Sequence, residues 1–269
     1  MVLTKYIVLE KKNEVYLTID AEDGIRRDIG EYFTFEVPGF KFMPQYRNRV
    51  WDGKIRLYNY ASKTIYAGLY PYINKWCKDN NIQVVDGTKI KDVTVDEQAV
   101  EGFIKALKIP FAVRDYQKEA FIHAIKKSRS LLLSPTASGK SLIVYLIARF
   151  NLLRLRSKKN NKILIIVPTT SLVEQLTKDW SLISEVVELT DKRVVISTWQ
   201  SIYNLPKKWF KQFGTIVGDE AHLFKAMSLT KIMTKLEDCK YRYGLTGTLD
   251  GTKTHKLVLE GLFGTVNKV

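Results

Sequence analysis

The chain has 269 residues, 45% of them hydrophobic and 26% charged, and carries a formal net charge of +15. That balance excludes a disordered, collagen-like or disulfide-scaffold chain and leaves a folded protein with room for two cores. The longest apolar run, Leu142 to Ala148, falls far short of the ~18 residues that span a bilayer, so the positive surplus points to nucleic acid rather than to a membrane face.

In chain order, the first segments are YIVLE, EVYLTI, YFTFEV and KIRLYNY, dense in β-branched and aromatic residues. They predict strands joined by turns at Asp23–Gly24, Pro38–Gly39 and Asp52–Gly53. The opening MVLTKYIVLEKK alternates like a strand and lacks the apolar stretch and cleavage site of a signal peptide. Cys77 and Cys239 are far apart and form no metal spacing, as reduced intracellular thiols would. A cytoplasmic location is therefore expected. YPYINKWCKDNN and VDEQAVEGFIKAL place apolar residues three or four apart and predict helices.

Residues 41–60, KFMPQYRNRVWDGKIRLYNY, carry Lys41, Arg47, Arg49, Lys54 and Arg56 against the single acid Asp52. Phe42, Tyr46, Trp51, Tyr58 and Tyr60 lie among them. Cations that meet phosphates beside rings that stack on unpaired bases suit a nucleic-acid surface. An aromatic core strand with a solvated basic face fits the same pattern, because alternation along a strand sends rings inward and charges outward.

The character of the chain changes near residue 110, in LKIPFAVRDYQ. This divides it into an α+β accessory domain over 1–108 and a second domain over 109–269. In the second, the runs SLLLS, KILIIVP, RVVIST, GTIVGDE and YRYGLTGT are short, nearly continuous and bounded by turn residues. Strands of that kind are buried on both faces, which predicts an α/β fold with a parallel sheet covered by helices.

SPTASGKSL, residues 134–142, nearly matches the phosphate-gripping pattern G-x-x-x-x-G-K-[ST], with Ser134 in place of the first glycine. A predicted strand precedes it and a predicted helix follows, which gives exposed backbone amides at the positive end of a helix dipole. Lys140 would then reach the β- and γ-phosphates and the Ser141 hydroxyl would ligate Mg²⁺. About 80 residues on, GDEAH ends another buried-type strand. Asp219 suits the Mg²⁺ shell and Glu220 the polarisation of an attacking water. SPTASGKS, PTTSLVEQ, STWQS, GDEAH and LTGT all follow predicted strands. In an open α/β sheet such positions form one rim, where ligand sites gather.

In order and spacing, RDYQ, PTASGKS, PTTSLVEQ, STWQS, GDEAH and GLTGT resemble the Q-motif and motifs I, Ia, Ib, II and III of superfamily 2 helicases. In that family a small residue commonly opens motif I, which accommodates Ser134. The likeness extends through FMPQYRNRVWDGKIRLYNY to nearly the whole chain, towards the phage recombination helicases that remodel branched DNA. The resemblance implies a RecA-like sheet with helices on both faces, behind a small α+β N-terminal domain, and ATP and Mg²⁺ as cofactors. It implies that Gln117 reads the adenine edge with Arg114 nearby. Pro135, Thr136, Ala137, Ser138, Gly139, Lys140 and Ser141 would cradle the phosphates, with Ser141 and Asp219 on the metal. Lys140, Asp219, Glu220 and His222 would act in catalysis of this DEAH-type site. Pro168, Thr169 and Thr170 with Thr198, Trp199 and Gln200 would touch DNA, as would Arg47, Arg49, Trp51, Lys54 and Arg56. Thr246, Gly247 and Thr248 would couple nucleotide state to nucleic-acid grip.

Motors of this family close ATP between two RecA-like domains, the second supplying arginines worth roughly 10³–10⁵ in rate. The chain stops at Val269, which predicts an N-terminal fragment without the second domain, monomeric and weak or inactive as an ATPase. The expected whole is an ATP-dependent helicase or translocase that remodels branched DNA in recombination, replication and repair. A duplex translocase without strand separation, an RNA-directed helicase and a non-catalytic binding module are the alternatives, since phosphate contacts do not read the sugar.

Overall fold

Strands β1 (Tyr6–Lys11) and β2 (Tyr16–Asp20) bury alternate residues, Ile7 and Leu9 on one and Leu17 and Ile19 on the other, as sheet strands with one covered face do. The computed structural model describes residues 5–135, 138–183, 192–224, 226–249 and 253–269. Two units emerge, 1–90 with 250–262 and 91–249 with 263–269.

In the first unit, β2 leads to α1 (Asp23–Tyr32), β3 (Thr34–Glu36), α2 (Pro44–Arg47), β4 (Lys54–Arg56), β5 (Tyr58–Asn59), β6 (Thr64–Tyr66), α3 (Tyr70–Asp79) and β7 (Gln83–Asp86). The main sheet has the order β5-β6-β2-β1-β7, and β3 and β4 pair separately. Ile25 and Ile29 of α1 are buried, as are Ile73, Trp76 and Cys77 of α3. Asp23 and Gly24, read as a turn in the sequence, instead open α1, whose buried residues recur four apart. The stretch 41–60 also departs from a continuous strand. A 3₁₀ turn at Phe40–Phe42 and α2 precede β4, and KIRLYNY is divided between two sheets. The rings consequently do not all point inward: Tyr58 is 3% exposed and Phe42 77%.

The second unit contains α4 (Glu97–Ala106), α5 (Asp115–Lys126), β8 (Arg129–Leu133), α6 (Lys140–Arg154), β9 (Lys162–Val167), α7 (Thr170–Ile183), β10 (Val194–Thr198), α8 (Trp199–Ile202), α9 (Lys207–Phe210), β11 (Phe213–Gly218), α10 (Ala226–Lys235) and β12 (Tyr241–Thr246). Helix α11 (Lys253–Phe263) falls in the first unit up to residue 262, and β13 (Val266–Lys268) closes the second. Where the sequence suggested a boundary at 108, the compact units part at 90–91, because Phe103 of α4 stacks on Phe121 of α5 at 5.7 Å.

The sheet of this unit runs β10-β9-β11-β12-β8-β13, and every neighbouring pair is parallel. All six residues of β11 and five of six in β9 are buried, so the continuous apolar runs lie between two layers of helices. Gly218 and Gly244 pair across β11 and β12, and a Cβ on either would come within 3.0 Å of the Phe263 ring or the Leu131 side chain. Parallel strands place all their carboxyl ends on one edge, and β8 and β9, consecutive in sequence, are separated there by β12 and β11. Ligand crevices form where strand order reverses in this way.

Candidate active site

The loop after β8 is closed by serines. Ser134 is fully buried, its amide donates to Thr246 O at 2.9 Å, and its hydroxyl lies 2.6 Å from that of Ser138. Ser138 Oγ in turn donates to Pro135 O at 2.7 Å. The side chain that breaks the glycine pattern is thus a strut of the loop. Left-handed backbone is needed at Gly139 instead, where φ is 73°. A Cβ there would also come within 2.4 Å of Gln117 Nε2. Thr136 and Ala137 lie outside the described residues.

Gln117 reaches the loop from α5. Its Oε1 accepts from the Arg114 amide at 3.1 Å and its Nε2 donates to Ser138 O at 2.9 Å, a carbonyl that Tyr116 Oη shares at 2.9 Å. The side chain expected to face a nucleobase therefore also pins the loop. A cleft of about 420 Å³ opens beside it, lined by Phe111, Arg114, Gln117, Gly139, Ser141 and Asp179 among others.

Helix α6 starts at Lys140, directly after the loop. The first amides of a helix have no intrahelical acceptor and lie at the positive end of its dipole. Lys140 Nζ forms an ion pair with Glu220 Oε1, across 80 positions of sequence. Both side chains are largely withdrawn from solvent, at 11% and 20% exposure. Glu220 follows β11 with φ at 48°, a left-handed conformation uncommon for a residue with a Cβ. Its amide donates to Asp219 Oδ1 at 3.0 Å, which helps hold the turn.

Asp219 is 9% exposed, and its carboxyl is pushed up to about 6. Burial is the main cause and the Glu220 charge adds to it, while Lys140 and the Glu220 amide oppose it. Among the described residues, no cluster of three or more His, Cys, Asp or Glu could hold a metal by protein ligands alone. The available donors are hard oxygens, the Ser141 hydroxyl and an Asp219 carboxylate whose burial makes a cation welcome. Such a set fits Mg²⁺ that keeps its waters and shares phosphate oxygens.

Beyond Glu220 a 3₁₀ turn, Ala221–Leu223, carries His222. Its Nδ1 lies 2.7 Å from Thr246 Oγ1 and 3.5 Å from Glu220 Oε2. Thr246 gives its only hydroxyl proton to Thr248 O at 2.6 Å, so His222 Nδ1 carries a hydrogen and donates to Thr246. The ends of β11 and β12 are thereby joined.

The remaining rim motifs meet one another. Gln200 Nε2 donates to the carbonyl of buried Pro168 at 3.3 Å. Thr169 Oγ1 accepts from the Leu172 amide at the start of α7, and Thr198 accepts from the Ser201 amide to cap α8. Thr169, Thr170 and Gln200 are exposed, Trp199 is half-buried, and Thr198 is 7% exposed. Gly247 and Thr248 complete the turn after β12.

In the first unit, Lys54 and Arg56 line a separate cleft of about 640 Å³ with Arg27 and Tyr60; Arg47, Arg49 and Trp51 do not line it. Arg56 is paired with Asp52, and this pairing holds the Asp52 carboxyl down to about 2. The Trp51 indole N–H donates to Lys54 O at 2.9 Å. Arg47 and Arg49 are exposed.

Sequence reading passed over Asp179, Trp180 and Tyr116, all bonded to the loop or to the start of α6. Asp179 and Trp180 lie near the end of an ordinary amphipathic helix, and no motif or spacing marks them.

Residues 110–251 match the family described as "Type III restriction enzyme, res subunit", and residues 7–86 match "DNA helicase UvsW, N-terminal". The chain is 31% identical to the ATP-dependent DNA helicase uvsW of Enterobacteria phage T4, over 94% of its own length and 54% of the relative's. It is 26% identical to the DNA 3'-5' translocase XPB2 of Sulfurisphaera tokodaii, over 59% of its own length and 36% of the relative's. It therefore spans about half the length, or less, of these curated relatives. A crystal structure of the UvsW helicase from Bacteriophage T4 superposes with a TM-score of 0.85 at 29% identity, covering 98% of this chain and all of that one.

Proposed function

Since the chain belongs to the superfamily 2 helicases, as a UvsW-like member, we propose that it binds ATP with Mg²⁺ at the β8–α6 loop and serves an ATP-driven helicase or translocase acting on DNA. Branched recombination and repair intermediates are the proposed substrates. The observation that supports the reading is the ion pair between Lys140 and Glu220, which brings the candidate phosphate-binding lysine at the start of α6 together with the candidate water-activating carboxylate in the turn after β11.

The residues divide the work by their chemistry. The first amides of α6 and Lys140 meet the phosphates, and Arg114 and Gln117 border the cleft beside the loop, where a nucleobase would lie. Ser141 and Asp219 would hold Mg²⁺, which supplies charge neutralisation on the phosphoryl oxygens. Arriving phosphate draws Lys140 away from Glu220. The released carboxylate can then accept a proton from the attacking water, already turned toward the site by the strained backbone of its own residue. His222, donating to Thr246, carries a change at Glu220 to the turn after β12. Thr169, Thr170 and Gln200 offer polar groups on the same rim for a nucleic-acid backbone, and the +15 charge favours that contact at low salt. Arg47, Arg49, Trp51, Lys54 and Arg56 form a separate proposed DNA surface within the first unit.

The test is nucleotide binding and ATPase activity with single-stranded, duplex, forked and four-way DNA and with RNA. Lys140→Ala should lower nucleotide affinity at least tenfold, since it removes the cation that meets the phosphates (about 1.4 kcal/mol or more). Equal affinity in this variant and the wild type refutes the site. RNA stimulation above every DNA substrate refutes the substrate class.

A further inference from the structure

Ser141, the second residue of α6, is held at both its polar ends by two consecutive residues of α7. Its hydroxyl donates to Asp179 Oδ2 at 2.6 Å, and its carbonyl accepts from the Trp180 indole Nε1 at 3.2 Å. Trp180 is 6% exposed and meets Tyr145, one turn further along α6, edge-on at a centroid distance of 5.4 Å. Leu176 and Ile183 of the same helix are also buried. Asp179 is therefore not a loose surface carboxylate. The neighbouring Trp180 side chain ties this part of α7 to α6, and Asp179 borders the same cleft as Gly139 and Gln117.

A serine hydroxyl has one proton and two lone pairs. As a ligand of a hard cation it gives a lone pair to the metal, so its proton must go to an acceptor on another side. Asp179 stands as that acceptor. Outer carboxylates of this kind orient a ligand and raise its basicity, and losing one typically costs 10–100-fold in metal affinity. We propose that Asp179 is a positioning residue of the nucleotide site: it accepts the hydrogen bond of Ser141 Oγ and so would present the oxygen's lone pair to the Mg²⁺ that accompanies the nucleotide, while Trp180 keeps the two helices in register. The proposal rests on the nucleotide reading given above.

The experiment titrates a fluorescent ADP analogue into the chain across a series of Mg²⁺ concentrations and in EDTA. In Asp179→Ala, the Mg²⁺ concentration for half-maximal tight binding should rise about tenfold or more, with the affinity in EDTA unchanged within about twofold. The double variant Ser141→Ala/Asp179→Ala should be no worse than Ser141→Ala alone, because the two act through one hydroxyl. Asp179→Asn keeps the shape of the side chain and a weaker acceptor, and should show a smaller shift in the same direction. It also guards against poor folding of the alanine variant. Mg²⁺ profiles that superpose on the wild type in both variants overturn the proposal. So does a loss of equal size in EDTA, which marks a purely structural contact, or a fall in the Mg²⁺ requirement, which marks a carboxylate that withholds the hydroxyl. An unchanged Mg²⁺ requirement in Ser141→Ala overturns the metal-ligand reading itself, whatever Asp179 does.

Discussion

Gly139→Ala tests the loop at its tightest point, and its cost follows from two separate contacts. The residue has φ of 73°, where a Cβ costs roughly 1–2 kcal/mol. The same Cβ would come within 2.4 Å of Gln117 Nε2, so the amide must leave Ser138 O and forfeit about 1 kcal/mol of net hydrogen bonding. The loop can relieve both by opening, at the rim of the sheet, with little loss of core packing. Nucleotide must then close it again, and the penalty of about 2–3 kcal/mol appears as about 30- to 150-fold weaker binding with a nearly unchanged unfolding midpoint. Gln117→Ala removes one of the two contacts in advance. In that background Gly139→Ala should cost only the backbone share, about fivefold to thirtyfold at 1–2 kcal/mol. The assay is equilibrium nucleotide titration on all four forms, with thermal melts alongside. Wild-type affinity in Gly139→Ala, or the same loss in both backgrounds, would refute the reasoning.

Two further predictions concern buried charge. With its folded-state carboxyl raised to about 6 from 3.8, Asp219 resists ionisation in the free protein. Its contribution to stability is therefore fully present below 3.8 and is lost as pH rises through about 6. Mg²⁺ needs the ionised form, so Mg²⁺-dependent nucleotide affinity should fall as pH drops below about 6, and Asp219→Asn should remove that part of the pH slope. Equal slopes in both forms would disprove it. Arg242 is fully buried in β12 and donates to Met233 O in the last turn of α10 at 3.4 Å, and to Leu236 O and, at 3.1 Å, Cys239 O in the segment that follows it. Arg242→Ala should destabilise the fold by about 3 kcal/mol, about 1 kcal/mol for each carbonyl left without this donor, and denaturant midpoints that match the wild type would count against it.

The second unit was legible in the sequence because β8, β9, β11 and β12 are largely buried on both faces, whereas RVVIST, expected to be of the same kind, became the half-buried edge strand β10. Runs such as KILIIV admit one reading, and KILIIVP, RVVIST, GTIVGDE and YRYGLTGT became β9, β10, β11 and β12. The first unit was harder to read. Its segments are short and half-buried, so KIRLYNY looked like one strand, although Leu57 turns the chain from the β3–β4 pair to the larger sheet. Helix α1 was hidden by Asp23–Gly24, a pair common in turns but here placed in a helix's first residues. Strand β13 pairs with β8 through three residues of no marked pattern.

At the site, Lys140, Glu220 and His222 could be found because their chemistry is tied to position in a motif, and parallel strands carry such positions to one edge. Asp179 had no such mark. Its partner is chosen by how α7 packs on α6, a tertiary fact that only buried Trp180 hints at in sequence. Lys140 is held by Glu220 and Ser141 by Asp179, so each polar side chain opening α6 is satisfied by a carboxylate from another element. If Lys140 meets phosphate as proposed, the phosphate must displace the first of these pairs, since Lys140 cannot serve both anions at full strength. The second pair need not break, because the hydroxyl oxygen keeps a lone pair for the metal while its O–H goes on donating to Asp179. Binding therefore changes the contact on the β11 side, from which His222 leads to Thr246, and leaves the contact on the α7 side in place. On the proposed nucleotide reading, that asymmetry would direct a rearrangement along the rim toward the turn after β12.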